Sequence, residues 1–294
     1  MQNRAVKKLP VILDGRVVRD EIQKRLKKEF AALAHPPVLA IVQVGDDLAS
    51  GAYIKQKALF GAFVGARVIH EKLPLGVNEK DVTDCIHALA ANPSVFGVIV
   101  QLPLPPHLSR EHILDFVPYE KDVDGLSDAS GFVPATARGV YELLSHYDIS
   151  VTGKKVAVFG RSLIAGGPIA QLLSAKGARV SVIHSKTPPR SAQKISRASD
   201  IVIVAIGKPK FIGLEYFRGD KTQVVVDVGI NRMETGEVLQ EEMPRTKLIG
   251  DVDFDEVKNM VAAISPVPGG VGPMTVACLF ENLRDAFTSR GTRC

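Results

Sequence analysis

Four short runs in the second half of the chain, "KKVAVFG", "ARVSVIH", "DIVIVAIG" and "TQVVVDVGI", are nearly continuous in β-branched and other apolar residues. A strand with one wet face alternates apolar with polar residues, whereas a strand covered on both faces reads as an unbroken apolar run. Runs of this kind, spaced by helix-length segments, restrict the chain to parallel sheet with helices packed on both sides. The fold class predicted is α/β. "KLIGDVD" is read as a further member of the series.

The first half has the same grammar. Asp14 can cap a helix in which Val18, Ile22, Leu26 and Phe30 recur every four residues, with Arg19, Asp20, Lys24, Lys27 and Lys28 on other faces. "VLAIVQVG" and "ARVIHEKL" read as strands flanking the helix-like "LASGAYIKQKALFGAFVGA". Asn78 opens a helix with Val82, Ile86 and Leu89 on one face, and prolines stop the strand in "VFGVIVQLPLP". "VYELLSHYD" is helical, and the closing "TVACLFENLRDAF" is an amphipathic helix with Val276, Leu279, Leu283 and Phe287 on its stripe. At 294 residues, two such series mean two α/β domains.

Composition narrows the function classes. An excess of 37 Lys+Arg over 32 Asp+Glu gives +5 without a long block of like charge, a balance that suits an anionic small molecule as well as a nucleic acid. Cys85, Cys278 and Cys294 have neither metal-ligand spacing nor an even count, so no metal site and no disulfide framework is expected. The apolar run before Asp14 is too short for a signal-peptide core or a membrane span. A cytoplasmic protein with neither membrane nor nucleic-acid partner is the expectation.

Gly160 ends a strand, and "GRSLIAGGP" carries Gly166, Gly167 and Pro168 into a helix. Ser162 and Ala165 break the strict G-x-G-x-x-G, yet a strand-turn-helix heading an alternating series is where backbone amides and a helix N-terminus receive a pyrophosphate. A plain β-α turn is the competing reading. At the tip of the next strand, "IHSKT" offers Ser185 and Lys186 where an NAD site has a carboxylate. With Arg161 able to close over the same spot, NADP is preferred to NAD.

Tyr53 and Lys57, four apart, share a helix face, whereas Lys55 is rotated away from them and read as solvated. Tyr53 offers an aromatic face to a flat heterocycle. Gln101 ends an apolar strand where open α/β sheets bind ligands, and the alternative is a strand cap. "EKDVDG" places two aspartates before Gly125, in a setting that an Asx-turn explains equally well. "SPVPGGVGPMT" puts three glycines and three prolines into an uncharged stretch, a stiff and shaped loop.

Together "AYIKQK", "VIVQLPLPP", "EKDVDG", "GRSLIAGGP", "IHSKT", "VVDVGIN", "IGDVDF" and "SPVPGGVGPMTVA" resemble the bifunctional methylenetetrahydrofolate dehydrogenase/cyclohydrolase family (FolD), in order from about Leu13 to Phe287. The resemblance implies a folate-binding catalytic domain over 1–136 with 272–294, and a Rossmann-like NADP-binding domain over 137–271. It implies a catalytic set of Lys57, Gln101, Asp124 and Tyr53, in which Tyr53 stacks on the pterin, Gln101 is paired with the lysine and Asp124 grips the pterin ring, and it implies that Val100 and Leu102 also bind the substrate. Pro268, Gly269, Gly270, Val271 and Gly272 are implied to help close the folate pocket. Gly160, Arg161, Ser162, Ser185 and Ile230 are implied to contact NADP. A homodimer is implied by the same analogy.

One departure stands out. Only 126–133 separate Gly125 from Pro134, and the family's P-C-T-P-x-G is here "PATARG", with Ala135 for cysteine and Ala137 for the second proline. Thr136 is expected to cap the helix that follows, and the shortening is read as trimming of a connection rather than loss of a functional element. The rivals are a dehydrogenase-only member, another NADP-dependent two-domain dehydrogenase, and a non-catalytic folate- or nucleotide-binding protein on the same scaffold.

Overall fold

The computed structural model describes residues 9–127, 129–238 and 244–291. In chain order the elements are β1 (Val11–Ile12), α1 (Gly15–Ala31), β2 (Val38–Val44), α2 (Leu48–Val64), β3 (Arg67–Leu73), α3 (Glu79–Ala91) and β4 (Val95–Val100). There follow α4 (Arg110–Asp115), α5 (Ala135–His146), β5 (Lys155–Phe159), α6 (Gly166–Ala175), β6 (Arg179–Ile183), α7 (Pro189–Ala198), β7 (Ile201–Val204) and β8 (Val224–Asp227). The last are β9 (Asn231–Val238), β10 (Pro244–Ile249), α8 (Phe254–Val257), β11 (Ala263–Ile264) and α9 (Val271–Gly291). None of the helices is long and apolar enough to cross a membrane among the described residues.

Contacts divide the chain into two compact units: a first of residues 19–139 with those from Thr275 onward, and a second of residues up to Val18 with 140–274. In the first unit β2 lies between β3 and β4 in a parallel sheet. Every residue of β2 is buried, as the continuous apolar run requires of a central strand covered on both faces. Val82 and Ile86 of α3 pack against Val38, Ala40, Val42, Val95 and Val98. Asn78 opens α3 by accepting from the amide of Asp81, as the sequence indicates.

The closing helix α9 differs from its expected amphipathic form. Residues 277–283 are all buried, and Phe280 stacks on Phe60 with ring centroids 5.0 Å apart. Gly61 permits this approach, because a Cβ there would lie 2.7 Å from Val68 and 3.1 Å from Phe280. A helix buried around most of its girth has to satisfy its polar residues internally. Glu281 is paired with Arg25 and Arg138, and Arg138 donates to Asn282 Oδ1 at 2.7 Å.

Asn282 also closes the short connection. Its Nδ2 donates to the carbonyls of Val123 at 2.8 Å and Val133 at 2.9 Å, drawing both ends of the segment to one point. Gly125 makes the crossing possible: its φ is +73°, and a Cβ would meet the backbone of Pro134 at 2.7 Å. The amide of Ala135 donates to Asp124 O, so α5 starts at Ala135 rather than after Thr136. The expected Thr136 cap gives way because the chain's own carbonyl satisfies the first amide. Ala135 and Ala137 are buried, so both small residues sit in packed interior.

The second unit holds a parallel sheet in the order β1-β11-β8-β7-β5-β6. "KLIGDVD" does not join it: β10 pairs antiparallel with β9, Leu248 opposite Arg232. Only 239–243 link the two strands, and a parallel crossover needs a dozen residues or more. The two-residue β1 pairs with β11, which groups the chain up to Val18 with this unit, whereas the expected division placed it with the folate-binding domain. The expected proline-glycine loop ends at Gly270, since α9 begins at Val271. Gly15 packs against that loop: its amide donates to Gly269 O at 2.8 Å, and a Cβ would be 1.9 Å from Gly270 O.

Gly125 and Gly153 both have φ +73°, but nothing lies within 4 Å of a Cβ at Gly153. Gly153→Ala is therefore expected to lose only the left-handed penalty of about 1–2 kcal/mol, and Gly125→Ala distinctly more. Thermal melts of the two variants check this; equal losses would remove the steric role of Gly125.

Candidate active site

Ile54, Phe60 and Val64 on α2 point into the core, and Lys57 occupies the same buried stripe. The residue is 7% exposed, an unusual position for an ammonium. Its Nζ donates to Gln101 Oε1 at 3.0 Å. Gln101 follows the last residue of β4, and its Nε2 donates to Leu102 O at 2.8 Å, which fixes the amide with its oxygen toward the lysine. Ser50, near the start of α2, donates to Asp47 Oδ2 at 2.8 Å and to the same Leu102 carbonyl at 3.5 Å. Asp47 caps α2 through the Ser50 amide, so the helix start and the strand end are tied together.

The electrostatics of this cluster are those of removal from water. Burial lowers the Lys57 pKa from its ordinary value, and attraction to Asp124 opposes the change. Burial raises the Asp124 pKa, Lys57 pulls it back, and Asp122 pushes it further up. The two aspartates divide the work that "DVDG" left open. Asp122 makes the turn, accepting from the amides of Gly125 at 3.1 Å and Ser127 at 2.9 Å and from the Ser127 hydroxyl at 2.8 Å. The Asp124 carboxyl has no hydrogen-bond partner among the described residues. Tyr53 lies one turn before Lys57 and is 38% exposed. Val100 is buried in β4, and Lys55 is exposed as expected. A cluster with a lysine, a carboxyl and an open aromatic face can hold a flat polar ring and move a proton.

In the second unit, Gly160 and Gly166 serve close approach despite the broken glycine pattern. A Cβ on Gly160, at φ +106°, would lie 2.1 Å from Ala205 O, and one on Gly166 would lie 2.4 Å from Gly160 O. No side chain caps α6, which leaves its N-terminus to the backbone amides of a narrow turn. Arg161 and Ser162 are exposed at that turn, and Ser185 and Lys186 are exposed after β6. These features fit a dinucleotide phosphate. Ile230 is exposed, and a Cβ on Gly272 would contact its Cδ1 at 3.5 Å. Gly269 adopts φ +113°, and a Cβ on Gly270 would be 2.7 Å from Pro266 O, so Pro268–Gly272 depends on its glycines. Among the described residues no group of three or more His, Cys, Asp or Glu is placed to hold a metal.

Two further carboxyl groups, Asp227 and Asp251, are buried in the second unit. Asp251 accepts from the amides of Ile206, Gly207 and Lys208 at 2.7–2.9 Å and from Asn231 Nδ2 at 2.9 Å. Asp227 accepts from the amides of Gly229, Asp251 and Val252 at 2.9–3.1 Å. Its pKa is raised to about 7, burial outweighing those hydrogen bonds. The visible signal was an aspartate directly after an apolar run in "VVVDVG" and "LIGDVD".

A glycine-lined strand-to-helix turn on a parallel sheet, with a buried lysine at the mouth of a second parallel sheet, defines a two-part dinucleotide-dependent enzyme. The chain belongs to the tetrahydrofolate dehydrogenase/cyclohydrolase family. The family's catalytic-domain model matches residues 13–124 and its NAD(P)-binding-domain model residues 134–290. The bifunctional protein FolD of Campylobacter hominis is 40% identical over 283 residues, covering 92% of this chain and 95% of its own. The crystal structure of the Campylobacter jejuni bifunctional enzyme FolD is 36% identical and superposes with a TM-score of 0.88, covering 95% of this chain and 99% of its own. The Trypanosoma brucei methylenetetrahydrofolate dehydrogenase-cyclohydrolase, solved with NADP and an inhibitor, is 35% identical with a TM-score of 0.90, covering 97% and 99%.

The burial of Lys57 has a consequence for stability. A lysine whose folded pKa lies below its unfolded value destabilises while charged, and the penalty is relieved as pH rises from the folded pKa toward the ordinary 10.5. Lys57→Met is therefore expected to melt higher than the native protein at pH 7, with the gap narrowing toward pH 10. A gap that is constant with pH would mean that Lys57 is not perturbed.

Proposed function

We propose that the protein oxidises 5,10-methylenetetrahydrofolate to the 5,10-methenyl form with NADP and hydrolyses that product to 10-formyltetrahydrofolate. Lys57 held by Gln101 carries this reading, because the geometry leaves a desolvated amine in one orientation at a strand terminus. NADP, when bound, supplies the hydride acceptor. Gly160, Arg161, Ser162, Ser185 and Ile230 are assigned to hold it, with Arg161 and Lys186 near the 2′-phosphate.

In the hydrolytic step water adds to the methenyl carbon and loses both its protons as the formyl carbonyl forms, one going to the ring nitrogen that departs on opening and the other to solvent. An amine with a lowered pKa can take a proton from the water and return it to that nitrogen. Gln101 fixes that amine, Tyr53 offers its ring to the pterin, and Asp124 is assigned to the pterin's N–H groups. Val100 and Leu102 flank the amide, and Pro268, Gly269, Gly270, Val271 and Gly272 are assigned to the folate site on their motif. The domain limits, a homodimer and a cytoplasmic location belong to the same reading and rest on family membership.

A spectrophotometric assay with methylenetetrahydrofolate and NADP tests both activities. Oxidation without hydrolysis of the methenyl product would make this a dehydrogenase-only member and the short 126–133 segment a lost part of the hydrolytic site. Lys57→Met is expected to abolish hydrolysis while folate binding, followed by fluorescence quenching, persists. Near-normal hydrolysis in that variant would remove Lys57 from the chemistry.

Arg161→Ala is expected to raise KM for NADP about tenfold or more, in line with a charged hydrogen bond of roughly 1.5–3 kcal/mol, and to leave KM for NAD much less changed. Equal effects on the two cofactors would move Arg161 away from the 2′-phosphate.

A further inference from the structure

Three consecutive amides, those of Ile206, Gly207 and Lys208, converge on one side chain just beyond β7. Such a concave run of N–H groups is an anion-binding nest. Gly207 has φ +66° with nothing within 4 Å of a Cβ, so glycine is needed there for its backbone angle alone. The nest is filled by the chain's own anion: Asp251, at 0% exposure, whose Oδ1 also accepts from Asn231 Nδ2. The would-be Cβ of Gly229 lies 2.1 Å from the Asp251 carboxyl carbon, so the β8 turn closes directly over it.

Asp227 extends the same hub. It receives the amides of Gly229, Asp251 and Val252, and its own amide donates to Ser265 Oγ at 2.8 Å. Ser265 is the first residue of the proline-glycine loop. The turns after β7 and β8, the segment Gly250–Val252 and the start of that loop thus share two buried carboxylates. All of these lie in the second unit, beyond the C-terminal ends of its parallel strands, where open α/β sheets receive their ligands.

We propose that Asp251, supported by Asp227, is a positioning residue for the dinucleotide: by filling the 206–208 nest it sets the turn after β7 and the placement of Ile230, and so fixes the surface that the cofactor meets. The proposal rests on the assignment of the second unit as the NADP site. It assigns neither carboxylate a contact with the cofactor. Filling the nest internally also directs the cofactor's phosphates to the uncapped start of α6.

The test uses the full-length protein and reads the two reactions separately, because hydrolysis of the methenyl substrate consumes no cofactor. Asp251→Asn keeps the shape but loses the charge and half of the acceptor capacity. Its KM for NADP is expected to rise about tenfold, with NADP affinity by calorimetry falling in step. Its hydrolysis of methenyltetrahydrofolate and KM for folate should stay within about twofold of native. Asn231→Ala, which removes one donor and leaves the nest filled, guards against a misfolded first variant. It is expected to raise KM for NADP about threefold with hydrolysis unchanged. An unchanged NADP constant in folded Asp251→Asn, or in Asn231→Ala if the former does not fold, overturns the proposal; so does an equal loss of both activities. Failure of native protein to bind NADP would instead overturn the site assignment itself.

Discussion

Placing an ammonium group inside a protein is strongly unfavourable unless the surroundings compensate, and the first unit is arranged around that constraint at Lys57. The lysine takes a slot on α2 that an aliphatic residue would fill, between Ile54 and Phe60. One neutral amide oxygen, oriented by its own bond to Leu102, and one nearby carboxyl are what the fold supplies in return. Because neither neutralises it fully, the amine remains poorly solvated and readily gives up its proton. The capped start of α2 and the end of β4 have to stay in register for that arrangement to persist, which the Ser50 contact to Leu102 helps to ensure.

The second unit handles buried charge in the opposite way. Asp227 and Asp251 are surrounded by backbone amides, so the groups that need satisfying are the turns themselves. Both arrangements sit at the carboxyl ends of parallel strands, where the chain leaves regular structure and free amides and carbonyls become available. In one unit that freedom is left for chemistry; in the other it is locked into shape.

The strands and helices of both series were legible because parallel strands and core-facing helices carry strong periodic signals: Val82 and Ile86 on α3, or Val18, Ile22 and Leu26 on α1, are buried as their spacing requires. The antiparallel pairing of "KLIGDVD" is not legible because an apolar run does not state its direction, and the two-residue β1 and β11 are too short to carry a period. Tyr53 and Lys57 were found as a pair on one helix face. That Lys57 occupies a core position follows from its spacing to Ile54 and Phe60, but the residue type masks it, since a lysine ordinarily faces solvent. Asp251 was hidden for another reason: its partners at 206–208 lie more than forty residues away, and an aspartate after a strand looks like any local turn former.

Asn282 gives the connection after Gly125 a fixed point on α9. Its single amide grips the carbonyls of Val123 and Val133 and so joins the two ends of the segment. The stretch between is held by bonds of its own, from the Ser127 amide and hydroxyl to Asp122, from Ser130 Oγ to Asp122 O and from the Gly131 amide to Tyr119 O. Asp124 and the start of α5 are thereby both referred to one side chain of α9, so a change at Asn282 would reach the carboxyl and the following helix together.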